Sequence, residues 1–414
     1  MKSMGKLLVA QSGGPTAAIN ATVAGVYLES LKYSEITEVL GARNGITGVL
    51  KEDFVSLTKE LENPDDLSIL IQTPAAALGS CRHKMADFHQ NPEEYEQIVE
   101  VLKKHDIQYF VYIGGNDSMD TVWNLSEYCK ENKIEDLYVM GAPKTIDNDL
   151  VGTDHCPGFG SAAKYIATTF AEIIRDCSVY NTKAVTIVEV MGRNAGWLTA
   201  ASVLAGINKG QGPDLIYLCE VPFDVEQFVM DIQRLHQEKD GLVIAVSEGI
   251  KDSNGNYLSQ GVKGSGLDAF GHCQVAGTAS VLENLIKEKI GCKVRSIELN
   301  LMQRCAGHIQ SYTDIEESME LGKMACRSAV KGQSGMMAAL TRVTSDPYWV
   351  TYDLVSISEV ANREKKVPIH MMNQEHNQVT AEMIEYLYPL IQGERALVYE
   401  QGIPKHFIFD NRDR

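Results

Sequence analysis

Short apolar or β-branched runs alternate along this chain with longer amphipathic stretches, and that alternation limits the fold more than any single residue does. Parallel strands cannot be joined by tight turns. Each needs a crossover, and an amphipathic helix covering one sheet face supplies it. Strands are predicted at Lys6 to Gln11, Glu38 to Ala42, Tyr109 to Ile113, Tyr138 to Ala142, Ala184 to Val190, Leu215 to Leu218, Leu242 to Ser247, Val294 to Leu299 and Met336 to Leu340. Helical periodicity fills the gaps at Ala17 to Tyr33, Pro92 to His105, Ser118 to Asn132, Phe159 to Cys177, Val225 to Glu238, Gly277 to Ile290 and Asp314 to Lys331. A length of 414 residues, 44% of them hydrophobic, supports two or three domains with separate cores. The Gly and Pro cluster over Gly152 to Gly160 places a seam, and a hinge, between them. Lys251 to Gly271 reads as a surface loop, Val350 to Gln378 is polar and hard to assign, and Thr380 to Gln392 predicts a last helix.

The formal charge of −17 argues against nucleic acid or an anionic membrane as a partner. A phosphate ligand would have to meet locally concentrated Lys and Arg. Nine cysteines, odd in number and never spaced Cys-x-x-Cys, suit free thiols in a reducing cytoplasm and offer no zinc site. The apolar run Leu7 to Ala10 is too short for a signal-peptide core, and no run approaches the roughly 18 residues of a membrane span.

Two segments carry the chemistry. Gly114-Gly115-Asn116-Asp117-Ser118 and Pro143-Lys144-Thr145-Ile146-Asp147-Asn148-Asp149 each follow a predicted strand, at the carboxyl end where open α/β sheets bind ligands. The glycines and Ser118 can bring backbone N–H groups to phosphate oxygens, while Asp147 and Asp149 offer a base and a metal-associated carboxylate. Gly13 and Gly14, in Gln11-Ser12-Gly13-Gly14-Pro15-Thr16, form a third strand-to-helix turn, which an anion or a purely structural turn would equally use. It lacks the Gly-Lys-Ser/Thr ending of a Walker loop. Arg82 sits beside His83 and Lys84, either as a solvated charge cluster or as a phosphate clamp. Met191-Gly192-Arg193 and Glu248-Gly249 end two further strands, whereas Arg295 and Arg304 flank an apolar segment and alone are unremarkable. Gly158-x-Gly160-x-x-Ala163 matches the loose dinucleotide fingerprint but follows no strand.

Taken in order, Gly-Gly-Asn-Asp-Ser, Pro-Lys-Thr-Ile-Asp-Asn-Asp, Met-Gly-Arg, Ser-Glu-Gly and Gln303-Arg304 resemble the phosphofructokinases, in detail their pyrophosphate-dependent bacterial branch. The resemblance runs from Lys6 to about Gly335. It implies two doubly wound, Rossmann-like parallel-sheet domains with the active site in the cleft between them. Residues 1–158 with about 305–365 would form the phosphoryl-donor half, and 159–304 with 366–414 the sugar-phosphate half. It further implies transfer from pyrophosphate to the 1-hydroxyl of fructose 6-phosphate, with Mg²⁺. Asp147 would be the base, with Lys144 and Asp117 beside it and Gly13, Gly14, Arg82, Gly115 and Ser118 on the donor. Thr145, Ile146, Met191, Gly192, Arg193, Glu248, Leu301 and Arg304 would meet the sugar phosphate. Arg295 would reach in from a neighbouring subunit, making the enzyme a homodimer or homotetramer with a shared site.

Two positions bear on the donor. ATP-using members resemble Gly-Gly-Asp-Gly-Ser and Pro-Gly-Thr-Ile-Asp-Asn-Asp, whereas this chain has Asp117 and Lys144 in place of glycine. A carboxylate there repels the α-phosphate of a nucleotide, and the lysine adds a cation for pyrophosphate. Three departures stand beside these. Asn116 replaces the family's metal-associated Asp, leaving Mg²⁺ to pyrophosphate oxygens, Asp149 and Asp117, with Asn116 as an amide-oxygen ligand. Leu301 takes a place often held by His or Tyr. Ala184 replaces a phosphate-binding Arg, with Lys183 next to it. Ala24 and Leu28 stand where nucleotide-regulated members carry arginines, so control through that site is not expected. An ATP-dependent kinase, a sedoheptulose 7-phosphate kinase and a non-catalytic sugar-phosphate-binding subunit are the rival readings.

Overall fold

The computed structural model describes residues 4–208, 210–259, 277–361 and 363–409. Two sheets organise the chain. The larger has seven strands: β1 (Gly5–Gln11), β2 (Ile36–Ala42), β3 (Phe54–Ser56), β4 (Ile107–Gly114), β5 (Tyr138–Pro143), and a later pair introduced below, in the order β11-β10-β5-β4-β1-β2-β3. The smaller contains β6 (Ala184–Val190), β7 (Leu215–Tyr217), β8 (Gly241–Ser247) and β9 (Lys293–Glu298), all parallel, in the order β7-β8-β6-β9. The later pair, β10 (Met336–Ser345) and β11 (Tyr348–Ser356), is an antiparallel hairpin on the edge of the larger sheet.

Near-continuous apolar runs are what a sheet buried on both faces needs. In β1, Leu7 and Val9 face one core with Tyr109 and Val111 of β4, while Leu8 and Ala10 face the other with Phe110 and Tyr112. All four β1 residues are fully buried, each of the larger ones contributing roughly 1.5–3 kcal/mol. The first face is covered by α1 (Ile19–Ser30), through Val23 and Val26, with Leu321, Ala325 and Ala329 of a later helix; the second is covered by α2 (Asn116–Glu131), through Met119, Val122 and Leu125. The smaller sheet is sandwiched likewise: α3 (Phe159–Cys177) packs on Val188, Val190, Val243 and Ala245.

Two sequence expectations are revised here. Val350 begins no featureless stretch; it lies within β11, whose residues alternate half-buried and exposed along an edge. The last helix is shorter than predicted, because Pro389 turns the chain from an α-helix at Ala381–Leu387 into a 3₁₀ turn at Tyr388–Ile391. Residues 366–409 pack against both sheets. Met383, Leu387 and Leu390 join the core under α3, whereas Phe407 and Phe409 return to the seven-stranded sheet. Of the expected loop at 251–271, residues 251–259 form a turn in which Asp252 accepts from the amides of Asn254 and Asn256, and the rest lies outside the described residues.

The expected seam is tied by buried polar contacts. Asp314 of α4 (Tyr312–Val330) caps α3, its two carboxylate oxygens each accepting at 2.9 Å from the amides of Gly158 and Ser161. Next to it His155, 2% exposed, lies between Asp154 (2.8 Å) and Glu317 (2.6 Å). Glu317 also accepts from the Tyr348 hydroxyl at 2.6 Å, and Arg342 pairs with Asp154 at 2.9 Å. Burial alone would lower the His155 pKa, but Glu317 and Asp154 outweigh it and push it up to about 9. The imidazolium is therefore charged at neutral pH. Its stabilisation is complete below pH 6.5, the ordinary value, and is lost as pH rises through about 9. His155→Leu leaves the buried Glu317 carboxylate without its charge partner, while Asp154 keeps Arg342, with an expected loss of about 3 kcal/mol at pH 7 and a smaller loss at pH 10. Chemical denaturation at the two pH values measures this; equal losses at both would contradict the charge assignment.

Candidate active site

The parallel register fixes which strand ends meet. Gln11 pairs with Ile113 and Gly114 with Pro143, so the Gly13-Gly14 turn, Gly115 and Lys144 come abreast. On the smaller sheet Val190 pairs with Ser247, bringing Met191, Gly192 and Arg193 beside Glu248. The carboxyl ends of both sheets face one cavity of about 320 Å³.

Of the residues expected at the site, Gly13, Gly14, Arg82, Gly115, Asn116, Asp117, Ser118, Lys144, Thr145, Asp147, Asp149, Met191, Arg193, Glu248 and Arg304 line this cavity. Four do not. Ile146 is buried in the core beneath α3. Gly192 lies behind its neighbours, where a φ of +126° suits glycine, its amide donating to Glu248 Oε1 at 3.2 Å and its carbonyl accepting from Ser247 Oγ at 2.7 Å. Leu301 is 54% exposed and outside the cavity. Arg295 is exposed on β9, the outer strand of the smaller sheet, and lines a separate cleft with Ala184.

Lys144 is almost fully buried, and its Nζ donates to the Gly14 carbonyl at 2.6 Å. Gly13, at φ +75°, takes a conformation that L side chains rarely adopt, and a Cβ there would lie a tight 3.1 Å from that Nζ. A Cβ on Gly14 would lie 3.2 Å from Arg304 Nη1, so this guanidinium lies against the Gly13-Gly14 turn. Burial, and then Arg82, lower the Arg304 pKa, which places two guanidinium groups close enough to repel each other. Burial draws Lys144 down to about 8.

The carboxyl groups shift the other way. Asp147 is pushed up to about 7 by burial and then by Asp149. Glu248 rises to about 8 by burial and then by Asp147. Asp149 is raised chiefly by burial and also by Glu364, against a hydrogen bond from the Thr145 side chain. Carboxyls held near neutrality beside a lysine of lowered pKa suit a site that moves protons at pH 7.

The 145–149 loop is shaped locally. The Asp147 amide donates to Thr145 Oγ1 at 3.1 Å, and Asn148 takes the left-handed conformation (φ 55°). Asn148 is then fixed by Tyr386, the Cys156 amide and Lys365. Asn116 Nδ2 donates to Asp149 Oδ2 at 3.4 Å, leaving the buried Oδ1 without a partner. Asp117 forms an ion pair with Lys84 at 3.3 Å.

Sequence reasoning missed Ser12, Lys84, Asn194 and Glu364. Lys84 stood in view beside Arg82. Glu364 lay in the segment without periodicity and had no local signal, since long-range contacts such as its pairing opposite Leu150 bring it to the cavity.

Anions are the ligands that would relieve the repulsion between Arg82 and Arg304, and a half-buried carboxylate stands at hand to accept a proton. Such a cleft, at the carboxyl ends of two α/β sheets, suits a phosphorylated ligand. Residues 6–327 match the family model described as Phosphofructokinase. A "Pyrophosphate--fructose 6-phosphate 1-phosphotransferase" of Xanthomonas campestris pv. campestris (strain B100) is 40% identical over 98% of this chain and 96% of its own. The structure is similar to the pyrophosphate-dependent phosphofructokinase of Nitrosospira multiformis (TM-score 0.88, 36% identity, 98% and 96% of the two chains). It is also similar to that of Marinobacter aquaeolei (TM-score 0.85, 37% identity, 97% and 95%). The chain belongs to the phosphofructokinase family.

Proposed function

We propose that the chain transfers a phosphoryl group from pyrophosphate to the 1-hydroxyl of fructose 6-phosphate, reversibly giving fructose 1,6-bisphosphate and phosphate. The observation that carries this reading is the position of Lys144, which fills the donor turn with a cation at 2.6 Å from Gly14. The donor half is built on the seven-stranded sheet and the sugar half on the four-stranded one.

Asp147 takes the proton of the 1-hydroxyl as its oxygen attacks the terminal phosphorus. The bond from that phosphorus to the bridging oxygen breaks, and phosphate leaves. Lys144, Arg82 and the backbone amides of the glycine turns hold the donor oxygens, while Ser118 orients them. Arg193 and the Met191 backbone hold the sugar near its reacting end, and Glu248 meets its hydroxyls. Arg304, with Arg295 supplied by a second copy of the chain, holds the 6-phosphate, which makes a homodimer or homotetramer the working unit. Proton transfer to Asp147 contributes on the order of 10²- to 10⁴-fold, and the fixed cations much of the remainder.

Mg²⁺ fits the residues present. The unpartnered Asn116 Oδ1 and the Asp149 carboxylate are hard oxygen donors. Among the described residues no group of three His, Cys, Asp or Glu side chains could hold a metal, so pyrophosphate oxygens must complete the coordination. Bound there, Mg²⁺ supplies charge neutralisation to the pyrophosphate. Cytoplasmic location suits the eight free cysteines among the described residues. No described helix is long and apolar enough to cross a membrane.

Phosphate release from pyrophosphate that depends on fructose 6-phosphate tests the reading. Release without the sugar, or none with it, would refute it.

A further inference from the structure

The strap at residues 363–367 lies beyond the stretch matched by the family model, yet it reaches into the active-site cavity. Its backbone is tied to both sides of the cleft. On the base side, Glu364 pairs antiparallel with Leu150, and the Lys365 amide donates to the Asp149 carbonyl at 2.7 Å. The Lys365 ammonium donates to Asn148 Oδ1 and to the carbonyls of Thr153 and Asp154. On the sugar side, Trp197 Nε1 donates to the Lys365 carbonyl at 2.9 Å. The Val367 amide donates to Glu220 Oε1, which also accepts from the Gly196 amide at 2.8 Å. Within this frame one side-chain contact enters the cavity: Asn194 Nδ2 donates to Glu364 Oε1 at 2.9 Å.

Asn194 directly follows Arg193, and both line the cavity with Asp147. We propose that Glu364 is a positioning residue for the sugar phosphate: through Asn194 it sets the Arg193 turn against the Asp147 loop and so contributes to recognition of fructose 6-phosphate. The inference rests on the proposed reaction. Glu364 acts on the sugar side as a hydrogen-bond acceptor, one carboxylate oxygen being engaged by Asn194, while its charge is felt by Asp149. Glu364→Gln, which keeps the acceptor and removes the charge, separates the two effects.

The test compares Glu364→Ala, Glu364→Gln, Asn194→Ala and the Glu364→Ala/Asn194→Ala double variant in the full-length enzyme. Steady-state kinetics are combined with calorimetric binding of fructose 6-phosphate. Glu364→Ala should raise both KM and Kd for the sugar roughly tenfold, the lower range for a hydrogen bond to a charged group. KM for pyrophosphate should stay within about twofold and kcat should change less than the sugar KM. Glu364→Gln, which keeps the acceptor, should restore sugar binding. The double variant should be no worse than either single one, since both remove one contact. Additive losses, failure of Gln to rescue, an equal rise in the pyrophosphate KM, or unchanged sugar Kd would each overturn the proposal. An inactive wild-type enzyme that still binds the sugar would instead count against the reaction, and the calorimetric arm would still judge the Glu364 contact.

Discussion

Asp147→Asn should lower kcat by about 10²- to 10⁴-fold while leaving the Kd for fructose 6-phosphate within a few-fold of wild type. The half-buried carboxylate lines the cleft with Arg193 and Glu248 and has no role that an amide could take over as a proton acceptor. Its pKa is pushed up to about 7, by burial first and by Asp149 second. Only the ionised form accepts the proton, so wild-type kcat/KM should rise with pH through about 7. Lys144, drawn down to about 8 by burial, loses its charge above that point and should impose a falling limb. The profile is then a bell with its maximum between the two, and Asp147→Asn should lose the rising limb. Stability should move the opposite way from activity. A carboxyl whose folded pKa lies above its ordinary 3.8 binds more protons native than unfolded, so it costs stability as pH rises from 3.8 through about 7. Removing it should raise Tm at pH 8 by about 2–4 °C. A variant that is inactive because it is misfolded would show a lower Tm; unaffected turnover would refute the base assignment.

Replacing Lys144 and Asp117 together by glycine should weaken use of pyrophosphate by about 10²-fold or more and raise use of ATP. The cation at the Gly14 carbonyl disappears, and with it the charge that meets pyrophosphate inside the donor turn. A like-charge contact at about 4 Å and an effective dielectric near 20 costs roughly 4 kcal/mol, about 10³-fold in affinity. That is the scale of the barrier Asp117 places against a nucleotide α-phosphate. The ion pair with Lys84 moderates it, because a half-neutralised carboxylate repels less. Lys84→Ala in the wild-type background should therefore lower ATP use further rather than raise it. Steady-state kinetics with both donors measure the change, and an unchanged donor ratio in the double variant would refute the argument.

The regular parts of the fold were legible because periodicity reports burial directly. Phe159 to Cys177 was read with its observed bounds, and each predicted strand of the two sheets is present. β11 was legible in principle. Tyr348, Val350, Tyr352 and Leu354 alternate with exposed residues, but the polar partners of an edge strand hid the pattern in a one-dimensional reading. The motifs at Gly114 and Pro143 named most of the cavity, since strand ends carry their loops to one side of a parallel sheet. Lys84 and Glu364 could not be found this way: one is known by its ion pair with Asp117, the other by long-range contacts such as its pairing with Leu150. Asn116 shows the converse. Sequence marked it as a departure, and the structure shows its buried Oδ1 without a partner while its amide nitrogen serves Asp149.

The most direct measurement is kcat/KM of the wild-type enzyme for pyrophosphate and for ATP, each with fructose 6-phosphate and Mg²⁺. The expected result is a preference for pyrophosphate of at least about tenfold, with about 10³-fold as the limit set by an unmoderated repulsion at Asp117. ATP used as well as pyrophosphate, or better, would contradict it.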